Sequence, residues 1–214
     1  MQLEIIPAIL AKSKEELLEK IAKVRPYVKT VQIDIMDGKF VNNKTIDVED
    51  LAVLPPGLNY EFHWMINEPH AFIRRISGDH LHIVHIEALK SFDWVLNAIK
   101  KAGGRLALAL NPETPLERIL PFVDNVECVV VMTVHPGFSA QQYIQTVEGK
   151  IEALRAKYEK LDIEVDGGIN KTTIGRAMRA GANKFAVASA IFSAESVGEA
   201  IRELKQALEE ESYG

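Results

Sequence analysis

Val31-Gln32-Ile33-Asp34-Ile35-Met36-Asp37-Gly38 reads as a strand that stops at a turn. Val31, Ile33 and Ile35 alternate with Gln32, Asp34 and Met36, the period of two that strands require, and Asp37-Gly38 is a strong turn signal. Asp34 is the residue that does not fit an apolar strand. A carboxylate there costs free energy unless something pairs with it, and an isolated one most often bonds nearby backbone or an Arg. Two further stretches repeat the pattern. Ile163-Glu164-Val165-Asp166-Gly167-Gly168 ends on an Asp followed by glycines, and Tyr60-Glu61-Phe62-His63-Trp64-Met65 carries a His near its end. Three proton-transferring or metal-capable groups at strand ends point to one shared site.

Working outward, strands and helices alternate along the chain. An apolar strand at Ile5 to Leu10 precedes a helix capped by Ser13, with Leu17, Leu18, Ile21 and Val24 as its apolar stripe. After the Asp34 strand come a short helical turn within Asp47 to Leu54, the His63 strand and a helix from Pro69 to Ile76. Then follow a strand from His82 to Glu87, a helix from Phe92 to Ala102 and a strand from Arg105 to Leu110. The remainder reads as a helix from Thr114 to Phe122, a strand from Val126 to Val134, a long helix within Ala140 to Lys160 and the Asp166 strand. A helix from Lys171 to Ala180, a strand from Lys184 to Ala188 and a helix from Glu195 to Glu210 complete the chain. Eight strand–helix units imply a parallel sheet closed into a (β/α)8 TIM barrel, as a single domain over residues 1–214. An open doubly wound sheet uses the same alternation but collects the second, third and seventh strands around one centre less naturally.

Composition agrees with such a core: 47% of the 214 residues are apolar. The net charge of −5 gives no sign of a nucleic-acid binder. No run approaches the roughly 18 apolar residues of a membrane span. The one cysteine, Cys128, lies in an apolar run and reads as a small buried hydrophobe; with no second cysteine a reducing, cytoplasmic setting is expected.

In a barrel, the C-terminal strand ends share one mouth. Asp34, His63 and Asp166 sit at that level, with Met36, Met65 and Met132 as an expected apolar lining. His135-Pro136-Gly137-Phe138, Asp166-Gly167-Gly168 and Ala188-Ser189 follow the last three strands. Turns of this kind expose backbone N–H groups that bind anions, which suggests a phosphorylated substrate. Each glycine taken singly would serve equally to permit a tight turn.

With these residues in place, the sequence resembles the ribulose-phosphate 3-epimerase family over nearly its whole length. The resemblance rests on Ile6-Pro7-Ala8-Ile9-Leu10, Asp34-Ile35-Met36-Asp37-Gly38-Lys39-Phe40-Val41, and His63-Trp64-Met65 with Asn67-Glu68-Pro69. It continues through Val84-His85-Ile86-Glu87-Ala88, Leu110-Asn111-Pro112-Glu113-Thr114-Pro115, Val131-Met132-Thr133-Val134-His135-Pro136-Gly137-Phe138 and Glu164-Val165-Asp166-Gly167-Gly168-Ile169. It implies a barrel of the ribulose-phosphate-binding type and an isomerase of the pentose phosphate pathway. Such an enzyme interconverts D-ribulose 5-phosphate and D-xylulose 5-phosphate through a metal-stabilised ene-diolate. By the same resemblance Asp34 and Asp166 are the acid/base pair. A divalent metal, commonly zinc with manganese, iron or cobalt as substitutes, is implied at Asp34, His63 and Asp166.

The family's fourth metal ligand is a His where this chain has Gln32, whose amide oxygen is a weaker ligand for zinc. Ala8 stands for a substrate-binding Ser, His135 for an Asn, Ser139-Ala140 for a Gly-Gly that touches phosphate, and Ala188 for the Gly of a Gly-Ser pair that ends in Ser189. These departures leave two other readings open: an epimerase or isomerase of another sugar phosphate, and a non-catalytic sugar-phosphate-binding barrel. His70, His80 and His82 read as surface or structural groups, and His85 as a packed, hydrogen-bonded one. The resemblance also implies a homo-oligomer, whose interface the residues do not reveal.

Overall fold

The computed structural model describes residues 1–212; residues 213 and 214 of the expected domain lie outside the described residues. Eight strands run β1 (Glu4–Ile9), β2 (Thr30–Met36), β3 (Asn59–Met65), β4 (Leu81–His85), β5 (Arg105–Leu110), β6 (Cys128–Met132), β7 (Asp162–Asp166) and β8 (Lys184–Val187). Each pairs in parallel with the next, and β8 returns to β1, so the sheet is a closed barrel rather than an open one. The connecting helices are α1 (Lys14–Val24), α2 (His70–Ile73), α3 (Phe92–Ala102), α4 (Glu148–Lys157), α5 (Ile174–Ala180), α6 (Ser189–Phe192) and α7 (Val197–Ser212).

The first unit shows why the chain folds this way. Ser13 Oγ accepts the backbone N–H of Glu16 at 3.2 Å and starts α1. Leu17, Ile21 and Val24 then fall on one stripe and are buried. Removing each such side chain from water stabilises the fold by roughly 1.5–3 kcal/mol. Outward residues of the strands, among them Ile33, Phe62 and Trp64, meet these helices in the main core.

The barrel interior is divided. Leu81, Ile83, Ala107, Ala109, Cys128, Val130 and Met132 form a dry half contributed by β4, β5 and β6. Gln32, Asp34, Glu61, His63 and Glu164 are buried polar residues of β2, β3 and β7 on the other side. Below the mouth, Lys184 Nζ donates to Glu61 Oε1 at 2.7 Å. Burial, with Glu61 nearby, raises the Glu164 carboxyl well above its usual range. The Lys184 ammonium therefore bonds Glu61, and burial favours the neutral form of Glu164.

Several expected helices are shorter or absent. Residues 114–122 form 3-10 turns at Leu116–Arg118 and Leu120–Asn125 instead of a helix, because Pro121 cannot donate a backbone bond. The long helix expected within 140–160 begins only at Glu148; Ile144 N instead bonds Thr133 O at 2.8 Å, tying the segment across the mouth. The helix expected from 171 begins at Ile174, since Asn170 Oδ1 accepts the N–H of Thr172 at 2.8 Å in a local turn. The 69–76 helix contracts to α2, with its remaining residues in tight turns.

Candidate active site

Asp34 and His63 are register partners on β2 and β3, and Asp166 ends β7. His63 Nδ1 stands 3.0 Å from Asp166 Oδ2 and 3.4 Å from Asp34 Oδ1. Burial alone would lower the basicity of this ring, but the two carboxylates outweigh it and raise its pKa to about 10. Burial raises the Asp34 carboxyl above its usual value, against the hydrogen bond from His63 and with the charge of Asp166. The three groups thus form a cluster at the base of the mouth, with the two carboxylates reaching it and His63 fully buried behind them.

Gln32 enters this cluster from one layer below. Its Nε2 donates to Asp34 Oδ1 and to Asp166 Oδ2, each at 2.8 Å, and lies 3.3 Å from His63 Nδ1. On the far side of His63, Nε2 meets His85 Nε2 at 2.8 Å. His85 Nδ1 in turn faces Glu87 Oε2 at 3.4 Å. Burial would raise the Glu87 carboxyl, but the His85 ring beside it and bonds from Thr114 and the Asn111 backbone hold it down at about 2. Burial lowers the pKa of His85. A neutral His85 can therefore accept the His63 proton, while its Nδ1 faces the charged Glu87 without a hydrogen bond between them. The H-x-E spacing of His85 and Glu87 was visible in the sequence; its connection to His63 required the register of β3 against β4.

The mouth above is lined by Asp34, Met36, Met65, Met132, Asp166, Gly167 and Gly168 at the strand ends, and by Gly137, Phe138, Ser139, Ala140, Ala188 and Ser189 from the loops. Leu10, Val134 and Gln141 join them, although the sequence reading did not single them out. Gln141 Nε2 donates to His135 O at 2.6 Å and Phe138 O at 2.8 Å, so it holds the loop over the mouth. Three of the expected substrate contacts, Ala8, His63 and His135, stand apart, His63 being fully buried below the mouth. His135 turns outward, its Nδ1 2.8 Å from Glu113 Oε1, and Ala8 is buried in β1 beside Gln32.

The glycines after Asp166 are required by their surroundings. Gly167 has φ +114°, and a Cβ there would stand 2.2 Å from Val134 Cγ2. Gly168 has φ +66°, with the Tyr143 backbone nitrogen 2.7 Å from the same imagined atom. Both conformations favour glycine. Ala140 adopts φ +61°, a region that glycine occupies at lower cost.

The donor set also suits a cation. One oxygen each of Asp34 and Asp166 and one nitrogen of His63 lie within 4.8 Å of one another. Ligands about 2.1 Å from a tetrahedral ion stand about 3.4 Å apart, close to the two His63 distances. These residues can therefore hold a divalent ion.

A family model described as the ribulose-phosphate 3 epimerase family matches residues 4–192. The chain is 36% identical to "Ribulose-phosphate 3-epimerase, cytoplasmic isoform" of Oryza sativa subsp. japonica, covering 96% of this chain and 94% of that protein. It is 35% identical to the ribulose-phosphate 3-epimerase of Bacillus subtilis, covering 95% and 98%. Among solved structures, KGPDC from Streptococcus mutans superposes with a TM-score of 0.76 at 12% identity, covering 97% of this chain and 98% of that one. 3-Hexulose-6-phosphate synthase from Salmonella typhimurium gives 0.73 at 17%, covering 98% and 100%. These two likenesses show the shared barrel fold. Among the described residues no helix is long and apolar enough to cross a membrane.

Proposed function

The chain belongs to the ribulose-phosphate 3-epimerase family, and from that premise we propose that it interconverts D-ribulose 5-phosphate and D-xylulose 5-phosphate. The observation that carries this reading is the pair of carboxylates, Asp34 and Asp166, brought from separate strands to one mouth and bridged by a single amide nitrogen.

Epimerisation at C3 breaks the C3–H bond and moves its electrons through C2 onto the carbonyl oxygen, giving an ene-diolate. A proton then reaches C3 from the opposite face while the carbonyl re-forms. Two acid/base groups are needed, one ionised and one protonated in each direction. Burial raises Asp34 toward the range where a carboxyl can hold and return a proton. Asp166 serves the other face. His63 steadies both carboxylates, and His85 with Glu87 orients its ring. A divalent cation at Asp34, His63 and Asp166, zinc by preference with manganese, iron or cobalt as substitutes, would supply Lewis-acid stabilisation of negative charge on oxygen. The backbone at Gly167, Gly168 and Ser189, with residues 137–140, receives the phosphate, and the three methionines line the sugar's path.

The extra methyl groups of Ala140 and Ala188 at the mouth favour a second reading, another ketose phosphate as substrate. Incubation with D-ribulose 5-phosphate, with each of the four metals and without, separates the readings. Formation of D-xylulose 5-phosphate is expected. No product under any condition from folded protein, with turnover of a hexulose phosphate, would replace the first reading by the second. A cytoplasmic homo-oligomer belongs to the same proposal, supported by the rice relative's printed name and the family resemblance.

A further inference from the structure

Gln32 does more than take the place of a ligand. A carboxamide has two N–H donors on one end and an acceptor oxygen on the other. Here the donor end faces Asp34 Oδ1 and Asp166 Oδ2 at 2.8 Å each, one hydrogen for each carboxylate. The other end, Oε1, is buried with no hydrogen-bond partner. The residue itself is 0% exposed, so bulk water does not reach it.

The position of Nε2 is informative. In a tetrahedral site with bonds of about 2.1 Å, a fourth ligand lies about 3.4 Å from each of the other three. Nε2 lies 2.8, 2.8 and 3.3 Å from the oxygens of Asp34 and Asp166 and the nitrogen of His63. It stands close to all three ligand atoms, at or inside the distance expected of a fourth ligand. An ion coordinated by the other three would fall in the space that the two N–H bonds fill. With the amide reversed, Oε1 would join the two carboxylates as a third acceptor and forfeit both N–H bonds, with only His63 Nδ1 left to face it. With a cation present the preference inverts, because an amide oxygen ligates a hard or borderline metal and an amide N–H does not.

We propose that Gln32 is a turnable stopper that sets the metal affinity of this site. Without a cation its NH2 group holds the two carboxylates together; to admit one, the carboxamide must turn and present Oε1 as the fourth ligand. The inference rests on the metal reading given above. It makes the metal-free site a closed, hydrogen-bonded structure and makes cation entry compete with two charge-assisted hydrogen bonds.

The test compares Gln32→Glu and Gln32→His with the unaltered protein, all stripped of metal. Co2+ is titrated in by its visible absorption, and melting temperatures are recorded with and without Co2+. Gln32→Glu keeps the shape but exchanges the donor end for a third carboxylate. Its stripped form is expected to melt below the unaltered protein, with Co2+ closing the gap, and to bind Co2+ at least 10-fold more tightly. Gln32→His, which offers a ligand but no paired donors, is expected to bind Co2+ at least 10-fold more tightly as well. Equal Co2+ affinity in all three proteins overturns the proposal. So does a stripped Gln32→Glu that melts with the unaltered protein. If Gln32→Glu fails to fold without Co2+ and folds with it, the proposal is supported; if it folds in neither state, the Gln32→His affinity decides. These readouts do not depend on turnover. Loss of the epimerase reading would leave them standing, and their failure would leave the epimerase reading intact.

Discussion

His82 and His63 are both buried, yet their surroundings assign them opposite charges, and pH can test that assignment. His82 lies on the outer face of β4. Its Nδ1 accepts from Trp64 Nε1 at 3.1 Å, and its ring packs between Phe62 and Trp64. Burial without a counter-charge, with His80 nearby, lowers its pKa from 6.5 to about 3. The unfolded chain therefore binds a proton below pH 6.5 that the folded chain refuses, and stability falls as pH drops. At about 1.4 kcal/mol per pH unit, lowering pH from 7 to 5 removes about 2 kcal/mol through this group. His63 acts with the opposite sign. Its folded pKa is raised to about 10, so its contribution is full below 6.5 and is lost as pH climbs through the folded value. A His82→Asn variant isolates the first effect, because the asparagine oxygen can accept the Trp64 N–H and does not titrate. Urea unfolding of both proteins at pH 7 and pH 5 should show the unaltered chain losing about 2 kcal/mol more than the variant. Curves that run parallel within about 0.5 kcal/mol would refute the reasoning that unpaired burial fixes His82 neutral, and with it the logic that keeps His63 charged.

Two substitutions probe the supports of Asp166 and His63. Gly167→Ala combines a left-handed backbone with a Cβ 2.2 Å from Val134 Cγ2. It should cost roughly 2–5 kcal/mol in urea unfolding, and Val134→Ala in the same chain should recover the packing part while leaving the backbone strain. Glu87→Gln keeps an oxygen for the Asn111 N–H and the Thr114 hydroxyl but removes the charge facing His85. It should lower kcat/KM about 10- to 100-fold and shift its pH profile, with little change in melting temperature; a normal profile would exclude the positioning role.

The parts of this molecule that were legible beforehand share a cause. Period-two alternation and turn residues are local signals, so β2, β3 and β7 were found with Asp34, His63 and Asp166 near their ends. Eight repeats of one unit then implied closure, and closure brought the three together. What was not legible depends on register or on side-chain reach. Gln32 read as a weakened ligand because residue type alone does not say which end of the amide faces the carboxylates. Lys184 joins Glu61 from a strand more than a hundred positions away, and no local pattern announces that pairing. The helix expected within 140–160 starts only at Glu148 for a tertiary reason: the loop after β6 is tied down by Gln141 and Thr133 before the helix begins.

In the proposed mechanism Asp34 and Asp166 serve opposite faces of one carbon. The most direct test is proton NMR of the substrate at C3 during turnover in D2O, for the unaltered enzyme and for Asp34→Asn and Asp166→Asn. The unaltered enzyme should epimerise and carry deuterium into C3. Each variant should lose epimerisation by about 10²–10⁴-fold. Each should also exchange the C3 proton of only one of the two epimers, the one whose hydrogen faces the remaining carboxylate. A variant that epimerises within about tenfold of the unaltered enzyme, or that exchanges both epimers equally, would contradict the two-face account.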